Sequence, residues 1–139
     1  MARLDASCVF CSIARGEVPA SMVAREAGLC AFLDARPVFK GHVLVIPEVH
    51  VPDLDALEDP APLFALAQRI SRAVQAALLA QGTFVAVNNK VSQSVPHLHV
   101  HVVPRTKGDG LRGFFWPRVR YESDDERAAI AARIAACLR

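Results

Sequence analysis

Ser94-Val95-Pro96-His97-Leu98-His99-Val100-His101-Val102-Val103-Pro104-Arg105 is the stretch from which the rest of the chain is best read. Three of the chain's five histidines occupy every second position of it, with Leu98, Val100 and Val102 at the alternate positions and a proline near each end. This composition, in strict alternation, predicts a β-strand rather than a helix. Side chains two apart on a strand share a face, so His97, His99 and His101 are expected in line, roughly 6 to 7 Å between neighbours, with Leu98, Val100 and Val102 packed behind them. A face of three imidazoles gains no apolar burial, and a buried ring without a partner costs on the order of 1 to 3 kcal/mol. Packing alone does not account for such a face, which marks it as a site of chemistry.

Immediately upstream, Thr83–Val87 reads as a strand and 88–93 as the turn that joins it to the histidine run as a hairpin. From Pro60 to Gln81 apolar residues at Leu63, Leu66, Ala67, Ile70, Val74, Ala77 and Leu78 recur at helical spacing, and Gly82 is expected to end the helix. His42-Val43-Leu44-Val45-Ile46-Pro47 is apolar almost throughout, the pattern of a strand in the sheet interior. His42 opens that strand and His50 follows it, which brings both within reach of a site on the sheet. Met22–Glu26 and Leu29–Leu33 form a predicted hairpin turned by Ala27-Gly28, and Asp34 stands at its end. The segment 35–41 is a connection with Pro37 and Gly41 as breakers. The amino-terminal Cys8-Val9-Phe10-Cys11-Ser12-Ile13-Ala14-Arg15-Gly16 reads as a short helical turn ended by glycine.

Downstream of Arg105, 106–113 is a glycine-containing loop and Phe114-Phe115-Trp116-Pro117 an apolar cluster. Ser123-Asp124-Asp125-Glu126 is a capping box that starts a terminal amphipathic helix to Leu138. Together these elements predict an α+β fold: an antiparallel sheet of about five strands packed with one long helix, plus short amino- and carboxy-terminal helices. At 139 residues the chain fits one domain, with a core over about 8–105 and a tail over 106–139.

The formal net charge of +2 gives no electrostatic case for nucleic acid or an anionic membrane. The five basic residues between Arg105 and Arg120 read as a solvated face rather than an anion-attracting lip. The first residues lack an apolar signal core, and no segment offers the roughly 18 apolar residues of a membrane helix. A cytoplasmic location is expected. Four cysteines, two of them in Cys8-Val9-Phe10-Cys11, suit a reducing compartment better than a disulfide framework. The Cys-x-x-Cys itself admits three readings: a redox pair, though without a thioredoxin-like strand-to-helix setting; simple packing; or two thiolates of a tetrahedral zinc site completed mainly by histidines. Asp34 reads as a turn-capping carboxylate.

The His97-x-His99-x-His101-x-x pattern resembles the signature of the histidine-triad superfamily. The likeness continues through Cys8-Val9-Phe10-Cys11, Phe32-Leu33-Asp34, Gly41-His42-Val43-Leu44-Val45-Ile46-Pro47 with His50, and Gln93-Ser94-Val95, all in the family's order, from about residue 8 to Arg105. It is nearest to the nucleotide-binding branch, whose members hydrolyse nucleoside phosphoramidates and related nucleotide conjugates. Neighbouring dinucleoside-polyphosphate hydrolases, or a nucleotide-binding regulator with little turnover, are the alternatives. A metal-dependent hydrolase holding an open catalytic zinc on the triad is a further one, separable by chelation.

The resemblance implies that His99 attacks the α-phosphorus and carries a transient nucleotidyl group, with its other nitrogen held by a backbone carbonyl. His97, His101 and His42 complete the catalytic set. A neutral imidazole is a competent nucleophile at physiological pH. Gln93, Ser94 and His101 match phosphate-side donors, Asp34 the ribose position, and Phe32 and Ile13 the walls of the base site. Asn88 resembles a phosphate-side amide, in a loop shorter than in animal relatives with Ser92 where glycine is usual. By the same resemblance Cys8, Cys11, His50 and His97 form a closed structural zinc site, and the chain is a homodimer that pairs through its long helix and a strand. A purine nucleotide is the implied small-molecule partner. Trp116 resembles a tail aromatic that reaches the partner subunit in some relatives.

Overall fold

A computed structural model describes residues 7–111 and 117–139. The expected cluster at 114–116, including Trp116, lies outside the described residues. One unit runs to Asp109 and a second from Gly110. In the first, α1 (Val9–Ala14) precedes the strands β1 (Met22–Glu26), β2 (Leu29–Leu33) and β3 (Val43–Pro47), then a 3-10 turn (Leu54–Ala56), α2 (Ala61–Leu78), β4 (Gly82–Ala86) and β5 (Val100–Arg105). The five strands make one antiparallel sheet in the order β1-β2-β3-β5-β4. This is the α+β architecture expected from the sequence. No helix among the described residues is long and apolar enough to cross a membrane.

The two faces of the sheet have different tasks. On one, Leu29, Ala31, Val43, Val45, Leu98, Val100 and Val102 pack against Leu63, Leu66, Ala67, Ile70 and Val74 of α2. Each large aliphatic side chain buried there contributes roughly 1.5 to 3 kcal/mol. On the other face, Cys30, Phe32, Leu44 and Ile46 meet Cys8, Phe10, Cys11 and Ile13 from the amino-terminal turn and α1. β3 is buried along its whole length because β2 and β5 flank it. Cross-strand register aligns Phe32 with Leu44 and Leu44 with His101, so the histidine face continues the α1 side of the sheet.

Local sequence explains the joints. Ala27 and Gly28 both adopt positive φ (49° and 76°), the type I′ geometry that suits a two-residue hairpin. Asp59 Oδ1 accepts the Ala61 N–H at 3.1 Å and starts α2.

Three boundaries differ from expectation. The helix ends at Leu78, not at Gly82, because Leu79 takes the left-handed cap itself (φ 53°) and its N–H returns to the Gln75 carbonyl. Gly82 therefore opens β4, one residue ahead of the expected Thr83–Val87. The regular ladder of β5 begins only at Val100: after Pro96 the His97 N–H turns back to the Val95 carbonyl (2.8 Å) and the Leu98 N–H goes to Val51 (2.8 Å). His97 and His99 keep the alternation without belonging to the ladder.

In the second unit, α3 (Asp124–Cys137) starts where the capping box predicts, with Ser123 Oγ accepting the Glu126 N–H at 3.0 Å. The return bond from Glu126 goes to the N–H of Glu122 instead of Ser123. None of the residues of α3 is buried.

Candidate functional site

His99 is buried, 4 % exposed, and its Nδ1 lies 2.7 Å from the His97 carbonyl. A carbonyl only accepts, so Nδ1 carries the proton and Nε2 keeps its lone pair. The His99 ring stands 4.9 Å from His101 and 5.1 Å from Phe10, centroid to centroid, both in edge contact.

His42 and His101 form a second fixed pair. The backbone N–H of Val38 donates to His42 Nδ1 at 3.2 Å. His42 Nε2 must then bear the proton and donate it to His101 Nδ1 at 2.9 Å, which leaves His101 with its own proton on Nε2. Burial, reinforced by the neighbouring His99 and His42, pushes His101 down to about 4, and Asp34 opposes this only in part. His42 is also lowered, chiefly by burial. Asp34 Oδ2 lies 3.7 Å from His42 Nδ1, but that nitrogen already accepts from Val38, so the contact is not an ion pair. These three residues sit close enough to suggest a metal group. The Val38 N–H occupies the nitrogen facing the carboxylate, and the hydrogen-bonded chain ending on His101 Nε2–H is the arrangement the geometry favours.

Asp34 both caps a turn and lines a cavity. Its Oδ1 accepts the Arg36 N–H at 2.8 Å, a local turn, while Oδ2 stays available at a cavity. That cavity has a volume of about 920 Å³ and is walled by Phe10, Ile13, Phe32 and Leu44, with Asp34 and Ser94 on its polar margin. Phe32, Ile13, Asp34 and Ser94 are thus brought together as expected. His99, His101, Gln93 and Asn88 are not among the wall residues. Gln93 turns its amide to the Pro52 carbonyl, and Asn88 is exposed beyond the end of β4. Next to it, Asn89 Oδ1 accepts the Leu54 N–H at 3.0 Å and Lys90 reaches Asp55 at 2.6 Å, which ties the loop to the 3-10 turn.

Phe10 and Val9, both on the cavity wall, were missed by reading the Cys-x-x-Cys motif for its cysteines alone. The sequence offered only an aromatic between the two cysteines; its contacts with His97 and His99 come from the fold. The Val38 N–H is a backbone group and leaves no trace in the sequence.

A third cluster joins Cys8, Cys11, His50 and His97, whose ligand atoms all lie within 4.8 Å of one another. His97 Nε2 donates to the Pro47 carbonyl at 2.8 Å, so Nδ1 presents a lone pair to Cys8 Sγ (3.4 Å) and Cys11 Sγ (3.5 Å). His50 Nδ1 is 3.3 Å from Cys11 Sγ. Burial pushes His97 down to about 4, which keeps it an unprotonated donor. In a tetrahedral zinc site with Zn–S near 2.3 Å and Zn–N near 2.05 Å, sulfur and nitrogen stand about 3.6 Å apart. The observed separations are close to that edge, and the carbonyl behind His97 is the usual support of a ligating imidazole. These residues could hold a metal ion in a closed shell of four protein ligands.

A family model described as the HIT domain matches residues 15–108. The chain is 32 % identical over 126 residues to an adenosine 5′-monophosphoramidase of Schizosaccharomyces pombe, over 88 % of this chain and 92 % of that protein. A crystal structure of a HIT family member from Bacillus subtilis superimposes with a TM-score of 0.86 at 33 % identity, over 96 % of this chain and 98 % of that one. A zinc-bound histidine triad family protein from Mycobacterium smegmatis does so with a TM-score of 0.73 at 38 % identity, over 94 % and 97 %.

Proposed function

This chain belongs to the HIT domain family, and on that premise we propose that it is a cytoplasmic nucleotide-binding hydrolase that cleaves nucleoside 5′-phosphoramidates or related conjugates at the α-phosphate. The similarity to a protein named adenosine 5′-monophosphoramidase supports this class of substrate. The observation that carries the reading is the 2.7 Å bond from His99 Nδ1–H to the His97 carbonyl, because it leaves the lone pair of a neutral His99 on Nε2, where a nucleophile needs it.

In this mechanism His99 Nε2 forms a bond to the α-phosphorus as the bond from phosphorus to the leaving nitrogen breaks. The leaving nitrogen accepts a hydrogen bond from His101 Nε2–H, takes its proton from solvent water and departs as the amine. Positive charge on the nucleotidylated His99 ring is met by the His97 carbonyl. Water then attacks phosphorus, sheds its proton to solvent, and frees His99 as the neutral imidazole. His42 acts through His101, since its Nε2–H holds the latter's Nδ1 as an acceptor and so aims the outer proton at substrate. Charge on the equatorial oxygens is stabilised by fixed donors, among them Ser94. Gln93 joins them by releasing the Pro52 carbonyl, and Asn88 is the second amide on the phosphate side. Asp34 Oδ2 accepts from the ribose hydroxyls, while Phe32, Ile13 and Phe10 enclose a purine base.

Cys8, Cys11, His50 and His97 hold zinc in this reading. With four protein ligands it supplies structural cross-linking and activates no water. The catalytic unit is a single domain over about 8–105, working as a homodimer through α2 and the edge strand β4, where Phe64, Leu78 and Val85 expose apolar surface. Sedimentation at micromolar protein tests that pairing, and a monomer contradicts it. For the reaction, His99→Ala is expected to lower turnover of adenosine phosphoramidate by at least about 10³-fold while nucleotide still binds. Unchanged turnover overturns the assignment.

A further inference from the structure

The two cysteines of the metal cluster flank two residues of the cavity wall. Cys8 is the N-cap of α1 and Cys11 lies in its first turn, where the Cys11 N–H points at Cys8 Sγ from 3.5 Å. Val9 and Phe10 sit between them, and Val9, Phe10 and Ile13 all face the cavity. The Phe10 ring makes edge contacts with Phe32 beside it on the cavity wall (5.6 Å), with the metal-cluster residue His97 (5.9 Å) and with His99 (5.1 Å).

A helix of six residues is far below the length that is stable by itself. The carboxyl end of α1 is secured by Arg25, whose guanidinium donates to the carbonyl of Ala14 at 2.7 Å. Its amino end is secured at the thiol cluster. Hydrogen-bond-scale contacts of 3.3 to 3.5 Å between sulfur and imidazole are weak restraints, whereas four coordinate bonds to one ion would be strong ones.

We propose that metal loading at Cys8, Cys11, His50 and His97 and nucleotide binding in the cavity are one coupled equilibrium, with Phe10 as the residue that couples them. The inference rests on the nucleotide reading given above and goes beyond it by making the metal a determinant of affinity. Fixing both cysteines fixes the Phe10 ring in its edge contact with Phe32, so that the two rings form one continuous wall against which a base can lie. A base stacked on Phe10 in turn holds the cysteines in their ligating positions. Linkage requires the two effects to be equal: the factor by which metal tightens nucleotide binding is the factor by which nucleotide tightens metal binding.

The test uses the full chain, zinc and AMP. Calorimetry on zinc-loaded and zinc-stripped protein is expected to show AMP held at least about fivefold more tightly by the loaded form, within the usual range of such couplings. Competition with a chromophoric chelator is expected to show zinc held more tightly by the same factor when AMP is saturating. Phe10→Ala is expected to retain one zinc and to bring both factors below twofold. Equal AMP affinity in the two forms, or a coupling factor that survives Phe10→Ala, overturns the proposal. Should stripping unfold the chain, the chelator arm on loaded protein decides, and a zinc affinity indifferent to AMP refutes the coupling. If AMP binds and the chain takes up no zinc, the coupling is refuted and the nucleotide reading stands. If AMP binds neither form, both fall.

Discussion

His42 and His101 are joined by a 2.9 Å bond between Nε2 and Nδ1, and the Val38 N–H fixes which of them donates. With the His97 carbonyl on His99, this sets the tautomer of every ring at the proposed reaction centre. Long-range proton–nitrogen correlation spectra at pH 7 are therefore expected to show His99 as the Nδ1–H form and both His42 and His101 as Nε2–H forms. An Nδ1–H signal from His42 would contradict the direction of the chain.

The same burial makes stability depend on pH. The folded chain keeps His101 neutral down to about pH 4, while the unfolded chain protonates it near 6.5. Between those values the unfolded state binds the extra proton, so this group removes stability as pH falls from about 6.5 towards 4 and has no effect above that window. His42 acts in the same direction. Urea unfolding at pH 7 and pH 5 is expected to show a larger loss for the wild type than for His101→Gln. An equal loss in both would mean that His101 is not held neutral.

With zinc held by Cys8, Cys11, His50 and His97 as proposed, removing it is expected to be expensive in stability. A ligand present at a thousandfold excess over its dissociation constant stabilises the folded state by about 4 kcal/mol. For a chain of this size that corresponds to roughly 14 °C in Tm. Elemental analysis is expected to give one zinc per chain, and chelation or Cys11→Ser to lower Tm by about that amount. A chain that melts identically with and without chelator would remove the structural role.

Gly41 adopts φ 99°, outside the range of other residues, and a Cβ there would lie 2.1 Å from Leu78 Cδ1 at the end of α2. Gly41→Ala must both strain the backbone and displace that side chain, a loss of about 2 kcal/mol. Because Gly41 immediately precedes His42, the turnover number is expected to fall as well. Wild-type stability and turnover in the variant would show that β3 can absorb the change.

Much of this was legible because alternation is a property of the sequence alone. Leu98, Val100 and Val102 go under α2, and His97, His99 and His101 stay on the other face even where the ladder lapses. The Ala27-Gly28 hairpin and the buried β3 could be read in the same way. What escaped depends on groups without a sequence signature. Leu79 in a left-handed cap ends α2 with no glycine to announce it. The turn after Pro96 delays β5, and the Val38 N–H orients His42 through the backbone. Phe10 was hidden for a different reason: between two cysteines an aromatic reads as packing, and only the fold places it on the cavity wall.

The most direct measurement is intact-protein and peptide mass spectrometry after rapid mixing with a slowly hydrolysed adenosine phosphoramidate. The expected result is a transient gain of one nucleoside monophosphate, localised to His99 and absent from His99→Ala. Turnover without any adduct, or an adduct on another residue, would show that the central ring of the triad is not the nucleophile.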